Sequence, residues 1–292
     1  MDHVQGARAG SISRRQAVIL LGAVAAARSA GAAEPGILQP VSLDHVNIRV
    51  SNVPRSGAFY VALFDTPVLR STTLRAQPNS PPSEGFFIKF GDGYLAISQA
   101  FASDTPGLDH YSLGLRDYDK AKMVAKMQDG GFAALPRSGG DLWVADLDGS
   151  VMQLRKPGGW ARQSATPYQG PARVGPALSP LSMSRMALRS ADLARAGDYY
   201  SRLFGTEIAS AASSRARAFS VGDSIVELVS AGSAPGATTA HGIDHIRVTV
   251  KDSAESIRRT LRERGIAMAD GATPGSVRIA DPDGIGIELA ST

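Results

Sequence analysis

Leu43-Asp44-His45-Val46-Asn47-Ile48-Arg49-Val50 opens a pattern that the 292-residue chain writes four times. The other copies are Leu108-Asp109-His110-Tyr111-Ser112-Leu113-Gly114-Leu115, Met183-Ser184-Arg185-Met186-Ala187-Leu188-Arg189 and Ile243-Asp244-His245-Ile246-Arg247-Val248-Thr249-Val250. Apolar and less apolar residues alternate in each, the period of a half-buried strand. Val46, Ile48 and Val50 are expected to face a core, with His45, Asn47 and Arg49 on the other side. The same split places His110, Arg185 and His245 on the less apolar face. Three histidines and one arginine at equivalent places suggest the floor of a site.

The residues downstream of each copy repeat as well. Asn52-Val53-Pro54 suits a helix start, since Asn caps orphan amides and Pro is tolerated in the first turn. An amphipathic helix is expected over 57–64. Strands at 86–90 and 94–98 flank the hairpin signal Gly91-Asp92-Gly93. The second copy leads to a helix near 118–128 stopped by Gly130-Gly131, then strands at 141–145 and 151–154 around Asp146-Leu147-Asp148-Gly149. The third predicts a helix over 191–204 and a hairpin through Val221-Gly222-Asp223-Ser224. The fourth predicts a helix over 253–264, then strands about Asp281-Pro282-Asp283-Gly284. Each module therefore reads β-α-β-β-β over about 50 to 60 residues. The fold class is α+β, with four such modules in two curved-sheet cup domains. The boundaries are 41–156 for the first domain, 157–180 for a Pro/Gly/Ser-rich linker and 181–292 for the second.

The N-terminus stands apart. Ser13-Arg14-Arg15-Gln16 precedes an apolar stretch over 17–27 and then small residues to Ala33. Residues 1–33 read as an export signal, and the paired arginines resemble a twin-arginine signal. The expected location is the periplasm or the exterior. That segment has four arginines against one aspartate, so it carries +3 of the formal +4 and leaves the rest near +1. No basic cluster remains to suggest nucleic acid, and no later apolar run would span a bilayer. The chain has no cysteine, which excludes disulfides, thiolate metal sites and a cysteine nucleophile.

The Leu-Asp-His openings, the helix Ser56-Gly57-Ala58-Phe59-Tyr60-Val61-Ala62-Leu63-Phe64 and the Asp281-Pro282-Asp283-Gly284 close leading to Glu288-Leu289 resemble the vicinal oxygen chelate superfamily. That group includes glyoxalase I, extradiol dioxygenases, methylmalonyl-CoA epimerase and bleomycin-resistance proteins. The resemblance implies inward metal ligands from the first and last strand of each module. Carried over by position, the first module has His45 and Ala96, the second His110 and Gln153, the third Arg185 and Glu227, and the fourth His245 and Glu288. The metal set so implied is His45, His110, Gln153, Glu227, His245 and Glu288, with Glu288 and Arg185 the implied catalytic residues. Arg185 could neutralise Glu227 or clamp an anionic substrate. Tyr94, Trp143 and Phe219 could line the cups, but each reads first as core or sheet-face packing.

Module pairing decides which ligands meet. Neighbours usually pair, and the linker supports one with two and three with four. Pairing one with four would instead join His45, His245 and Glu288, a set suited to non-haem iron. Either way the implied cofactor is a divalent metal (Fe, Mn, Zn or Ni), and the implied partner a small molecule with vicinal oxygens. The function expected is a metal-dependent dioxygenase or lyase. The alternative is a non-catalytic protein that binds or sequesters small molecules.

Overall fold

A computed structural model describes residues 36–74, 83–101, 104–137, 139–162, 165–170, 173–205, 207–208, 216–231 and 242–292. The expected export signal over 1–33 lies outside them. The first half contributes β1 (Pro40–Val50), α1 (Val53–Leu63), β2 (Val68–Leu74), β3 (Ser83–Phe90), β4 (Gly93–Gln99), β5 (Gly107–Leu115), α2 (Lys120–Asp129), β6 (Leu142–Ala145), β7 (Val151–Arg155) and β8 (Thr166–Pro167). The second contributes β9 (Pro180–Ser190), α3 (Leu193–Phe204), β10 (Ala216–Val221), β11 (Ser224–Ser230), β12 (Ile243–Val250), α4 (Ala254–Glu263), β13 (Ala269–Asp270), β14 (Val277–Ala280) and β15 (Gly286–Ser291). Each helix starts at a side-chain cap, from Asn52, Asp119, Asp192 and Ser253 in turn.

The strands form two mixed sheets, ordered β6-β7-β5-β1-β4-β3-β2-β8 and β10-β11-β9-β12-β15-β14-β13. In each, the opening strands of neighbouring modules stand antiparallel, β1 beside β5 and β9 beside β12, so modules pair one with two and three with four. A set of His45, His245 and Glu288 would need β1 beside β12, and neither sheet has that pairing. Modules one and four carry three strands after the helix. In two and three the first of these shrinks, among the described residues, to single bridges, Ala134 to Val144 and Ile208 to Ala218. The strand Val68–Leu74 has no counterpart among the strands expected from sequence. Between the sheets, Trp160–Arg162 make a short 3-10 turn, Thr166–Pro167 extend the first sheet's edge, and fully buried Leu178 bridges to Phe64.

Core and cup lie on opposite faces of each sheet. Val46, Ile48 and Val50 are fully buried in the main apolar core, as are Met186, Ile246, Val248, Ile287 and Leu289. Alternation alone does not account for the motif. Leu43 and Val46 both face the core although three positions apart, as do Leu108 and Tyr111, Met183 and Met186, and Ile243 and Ile246. The ladder accommodates this by a register shift in every copy, at Asp44, Asp109, Ser184 and Asp244. Each is a β-bulge, which re-aims the side chains beside it. The extra residue brings the aspartate to the same side as the histidine next in the chain.

Two matching latches join the halves. Tyr60 on α1 donates to Asp281 at 3.2 Å, and Tyr200 on α3 donates to Asp146 at 2.8 Å. Asp281 also accepts the amides of Asp283 and Ile285, and Asp146 those of Asp148 and Ser150, so each turn is tied at both ends. Asp283 then holds Ser51, Arg55 and Ser56, while Asp148 holds Ser190 and the Ala191 amide. The Asp-x-Asp-Gly turns are therefore connectors of module one to four and of two to three. The hairpin glycines fit close against the opposite half: a Cβ on Gly91 would lie 2.2 Å from the Leu181 carbonyl, and one on Gly222 2.2 Å from that of Val41.

Burial raises the Asp281 carboxyl to about 6, against the amide hydrogen bonds that favour its anion, and the charge of Asp283 adds to the rise. A carboxyl raised in the folded state holds its proton more tightly there, so it contributes most stability in acid and loses it as pH climbs from about 4 to 6. The loss is about 3 kcal/mol. Asp281→Asn keeps an acceptor for the two amides but cannot ionise. In urea unfolding, the variant should gain about 3 kcal/mol on the wild type between about pH 4 and pH 7. An identical difference at both pH values would refute the assignment.

Candidate functional site

The cup of the first sheet gathers two imidazoles. His45 on β1 and His110 on β5 approach through their Nε2 atoms at 3.0 Å. Both are more than nine-tenths buried. The Asp109 bulge supplies the reason for His110's pose, since its carboxylate meets His110 Nδ1 at 2.6 Å. Asp109 is itself held by Asn47 and Arg49, and Arg49 continues to Asp104 at 2.7 Å. Burial raises the Asp109 carboxyl, but the hydrogen bond and charge of His110, then Arg49, outweigh it and hold the group below its usual range. A histidine whose Nδ1 is fixed in this way presents Nε2 to the cup.

Gln153 on β7 aligns with Ser112 of β5, which aligns with His45. Its Nε2 donates to Asp141 at 2.7 Å, and its buried Oε1 has no hydrogen-bond partner among the described residues. The Ser112 Oγ is likewise buried and unpartnered. A buried acceptor without a donor is costly unless something else meets it. Aromatic rings surround these groups. Tyr94 stacks on His45 with centroids 4.6 Å apart, and Trp143 stands edge-on to His110 at 4.9 Å. Phe87 and Trp160 pack on Tyr94, forming with Ala96 a small cluster separate from the main core. Tyr94 and Trp143 thus lie against the two histidines of the cup, one of the two places expected for them, whereas Phe219 packs in the core against Tyr200.

The second cup differs in kind. Arg185 donates to Glu227 at 2.9 Å, with side chains 6% and 0% exposed. Glu288 Oε1 accepts from Arg247 at 2.9 Å, from Ser276 at 2.6 Å and from the Ala272 amide at 3.1 Å, and Oε2 lies 3.2 Å from His245 Nε2. His245 Nδ1 meets Asp244 at 2.9 Å, and Arg278 reaches both. Asp244 and Glu288 are both held far below the usual carboxylate range. Burial opposes this, and hydrogen bonds from His245 with the charges of Arg278 and Arg247 override it. Every implied ligand of this cup that is acidic faces a guanidinium. Among the described residues, no group of three or more His, Cys, Asp and Glu is placed to hold a metal ion.

Residues 182–289 match the family model described as the Glyoxalase/Bleomycin resistance protein/Dioxygenase superfamily. Among solved structures, the 2,3-dioxygenase LapB from Pseudomonas sp. KL28 superposes with a TM-score of 0.60 at 16% identity, covering 88% of this chain and 94% of that one. The fold is the vicinal oxygen chelate fold. A catechol 2,3-dioxygenase aligns at TM-score 0.61 and 11% identity, covering 87% of this chain and 89% of its own. The Mn(II)-bound glyoxalase from Novosphingobium aromaticivorans aligns at 0.57 and 14%, covering 87% and 82%. Comparison with curated protein sequences finds no match.

The structure therefore divides the implied ligands. It brings His45, His110 and the Gln153 strand together in one cup, and His245 with Glu288 in the other, where Arg185 holds Glu227. Reading the sequence alone missed the aspartate beside each histidine, along with Asn47, Phe87 and Trp160. The apolar spacing of three across each motif was the signal that a bulge stood there.

Proposed function

We propose that the protein is a metal-dependent enzyme of the dioxygenase or lyase type, acting on a small aromatic molecule with vicinal oxygens, and that the first cup holds the metal. The meeting of His45 Nε2 and His110 Nε2 at 3.0 Å carries this reading. Two nitrogens bound to one cation at about 2.1 Å stand at most about 4.2 Å apart, and the observed spacing lies inside that limit. His45, His110 and the unpartnered Gln153 Oε1 would hold an Fe, Mn, Zn or Ni ion. When bound, such an ion supplies Lewis-acid or oxygen-activating chemistry to a pair of chelating substrate oxygens. Two imidazoles and a neutral amide leave positions for those oxygens.

The chain's own residues do the rest. Asp109 fixes the His110 ring, and Asp141 holds the Gln153 amide nitrogen so that its oxygen is left over. Tyr94, Phe87, Trp143 and Trp160 exclude water and offer flat faces to an aromatic ring. The 2,3-dioxygenases and the glyoxalase that share the fold support the reaction class. A metal-free binder of aromatic molecules is the second reading, favoured by Ala96 and Gln153 at the two last-strand positions of this cup.

Elemental analysis after expression of the wild type should find near-stoichiometric transition metal. His45→Ala and His110→Ala should each lose it, while His245→Ala keeps it. Metal retained by both first-cup variants and lost from His245→Ala would move the site to the second cup. A metal-free wild type that still binds catechol would establish the binder.

Export belongs to the same proposal, on the strength of Ser13-Arg14-Arg15-Gln16 and the apolar stretch after it. Replacing Arg14 and Arg15 with lysine should leave the protein in the cytoplasmic fraction of a bacterial host. Unchanged periplasmic recovery would count against a twin-arginine route.

A further inference from the structure

The second cup is built on a row of arginines. Arg185 on β9 and Arg247 on β12 stand directly opposite each other, Arg247 aligns with Glu288 on β15, and Glu288 aligns with Arg278 on β14. Like charges directly across a ladder destabilise it unless something lies between or beside them. Glu227 and Glu288 each take one arginine of the opposed pair, and Asp244 takes Arg278 and lies 3.5 Å from Arg189. Among the described residues, four guanidinium groups then face three carboxylates in this network, with His245 between Asp244 and Glu288.

Hydrogen bonding points the same way. Arg185 Nε and Arg247 Nε are both fully buried, and neither has an acceptor among the described residues. An unsatisfied buried N–H on a charged group is costly, and here two occur on facing residues. The floor beside them is low, since His245 has Ala187 on one side and Gly286 on the other. An anion would supply what the row lacks: acceptor oxygens for the two Nε–H groups.

We infer that the second cup binds a small oxyanion, a carboxylate by preference, between Arg185 and Arg247. A planar carboxylate has two oxygens to meet two guanidinium groups, which is the geometry arginine serves best. The site is separate from the first cup and does not rest on metal binding there. It makes the arginine at the position of a metal ligand a ligand-binding group in its own right.

Isothermal titration at constant ionic strength, with benzoate, acetate and inorganic phosphate as probes, tests the inference. The wild type should bind at least one of them saturably below about 10 mM. Arg247→Gln, which leaves Glu288 its Ser276 and Ala272 donors, should weaken binding about tenfold or more. Arg185→Gln combined with Glu227→Gln removes the clamp without stranding a charge, and should weaken it similarly. His45→Ala with His110→Ala should leave it unchanged. A preference for phosphate over both carboxylates would keep the anion site and assign it an inorganic ligand. No saturable binding of any probe, binding retained in both arginine variants, or binding lost with the two histidines would each overturn the inference.

Discussion

Replacing Arg185 with methionine while Glu227 remains should destabilise the protein by about 3–5 kcal/mol. The cause is the carboxylate left behind. Glu227 is fully buried, and Arg185 pairs with it at 2.9 Å. Removing one partner of a buried ion pair strands the other in a medium that solvates it poorly. The pair itself is worth far less, because forming it cost the desolvation of both groups. Arg185→Met with Glu227→Leu should therefore recover most of the loss, and a double-mutant cycle by urea unfolding would show it. Equal destabilisation by the single and double variants would mean that Glu227 does not depend on Arg185.

Asp109→Ala should lower the metal affinity of the first cup about 10- to 100-fold. Asp109 lies outside the set that would touch the ion, but it fixes the ring of His110 through a 2.6 Å contact at Nδ1. Without it the ring is free to turn and to change tautomer, and Nε2 no longer stands ready beside His45. Competition against a chelator, with zinc or manganese as the probe, reads this directly. Asp244→Ala makes the equivalent change beside His245 and should leave the affinity as it was. An unchanged affinity in Asp109→Ala, or an equal fall in Asp244→Ala, would refute the positioning role.

These two aspartates show where reading residues in order reaches its limit. The Leu-Asp-His repeat is legible as a strand, and its histidine as an inward residue, because side-chain alternation is a local property of the backbone. The aspartate is legible only as a polar neighbour on the opposite face. A bulge at Asp109 and at Asp244 reverses that, and a bulge is a fact about two strands together. Tyr60 and Asp281 make the same point at longer range. Each belongs to a recognisable motif, yet they are 221 residues apart, and only the packing of α1 on the far turn makes them partners.

The sequence by itself determined the four modules, the face on which each candidate ligand stands and, apart from Val68–Leu74 and the shortened strands of modules two and three, the strand-helix order. Periodicity, caps and turn residues are local, and they agree with one another along the whole chain. Only the tertiary structure decided which residues those side chains meet. Glu288 is met by Arg247, Ser276 and a backbone amide, and Glu227 by Arg185, so both carboxylates already face the chain's own cations. His45 and His110, in modules whose last-strand positions hold Ala96 and Gln153, meet each other with a spare amide oxygen on the neighbouring strand. Charge neutralisation depends on distances of a few ångströms between distant parts of the chain, and those distances exist only once the sheets have formed.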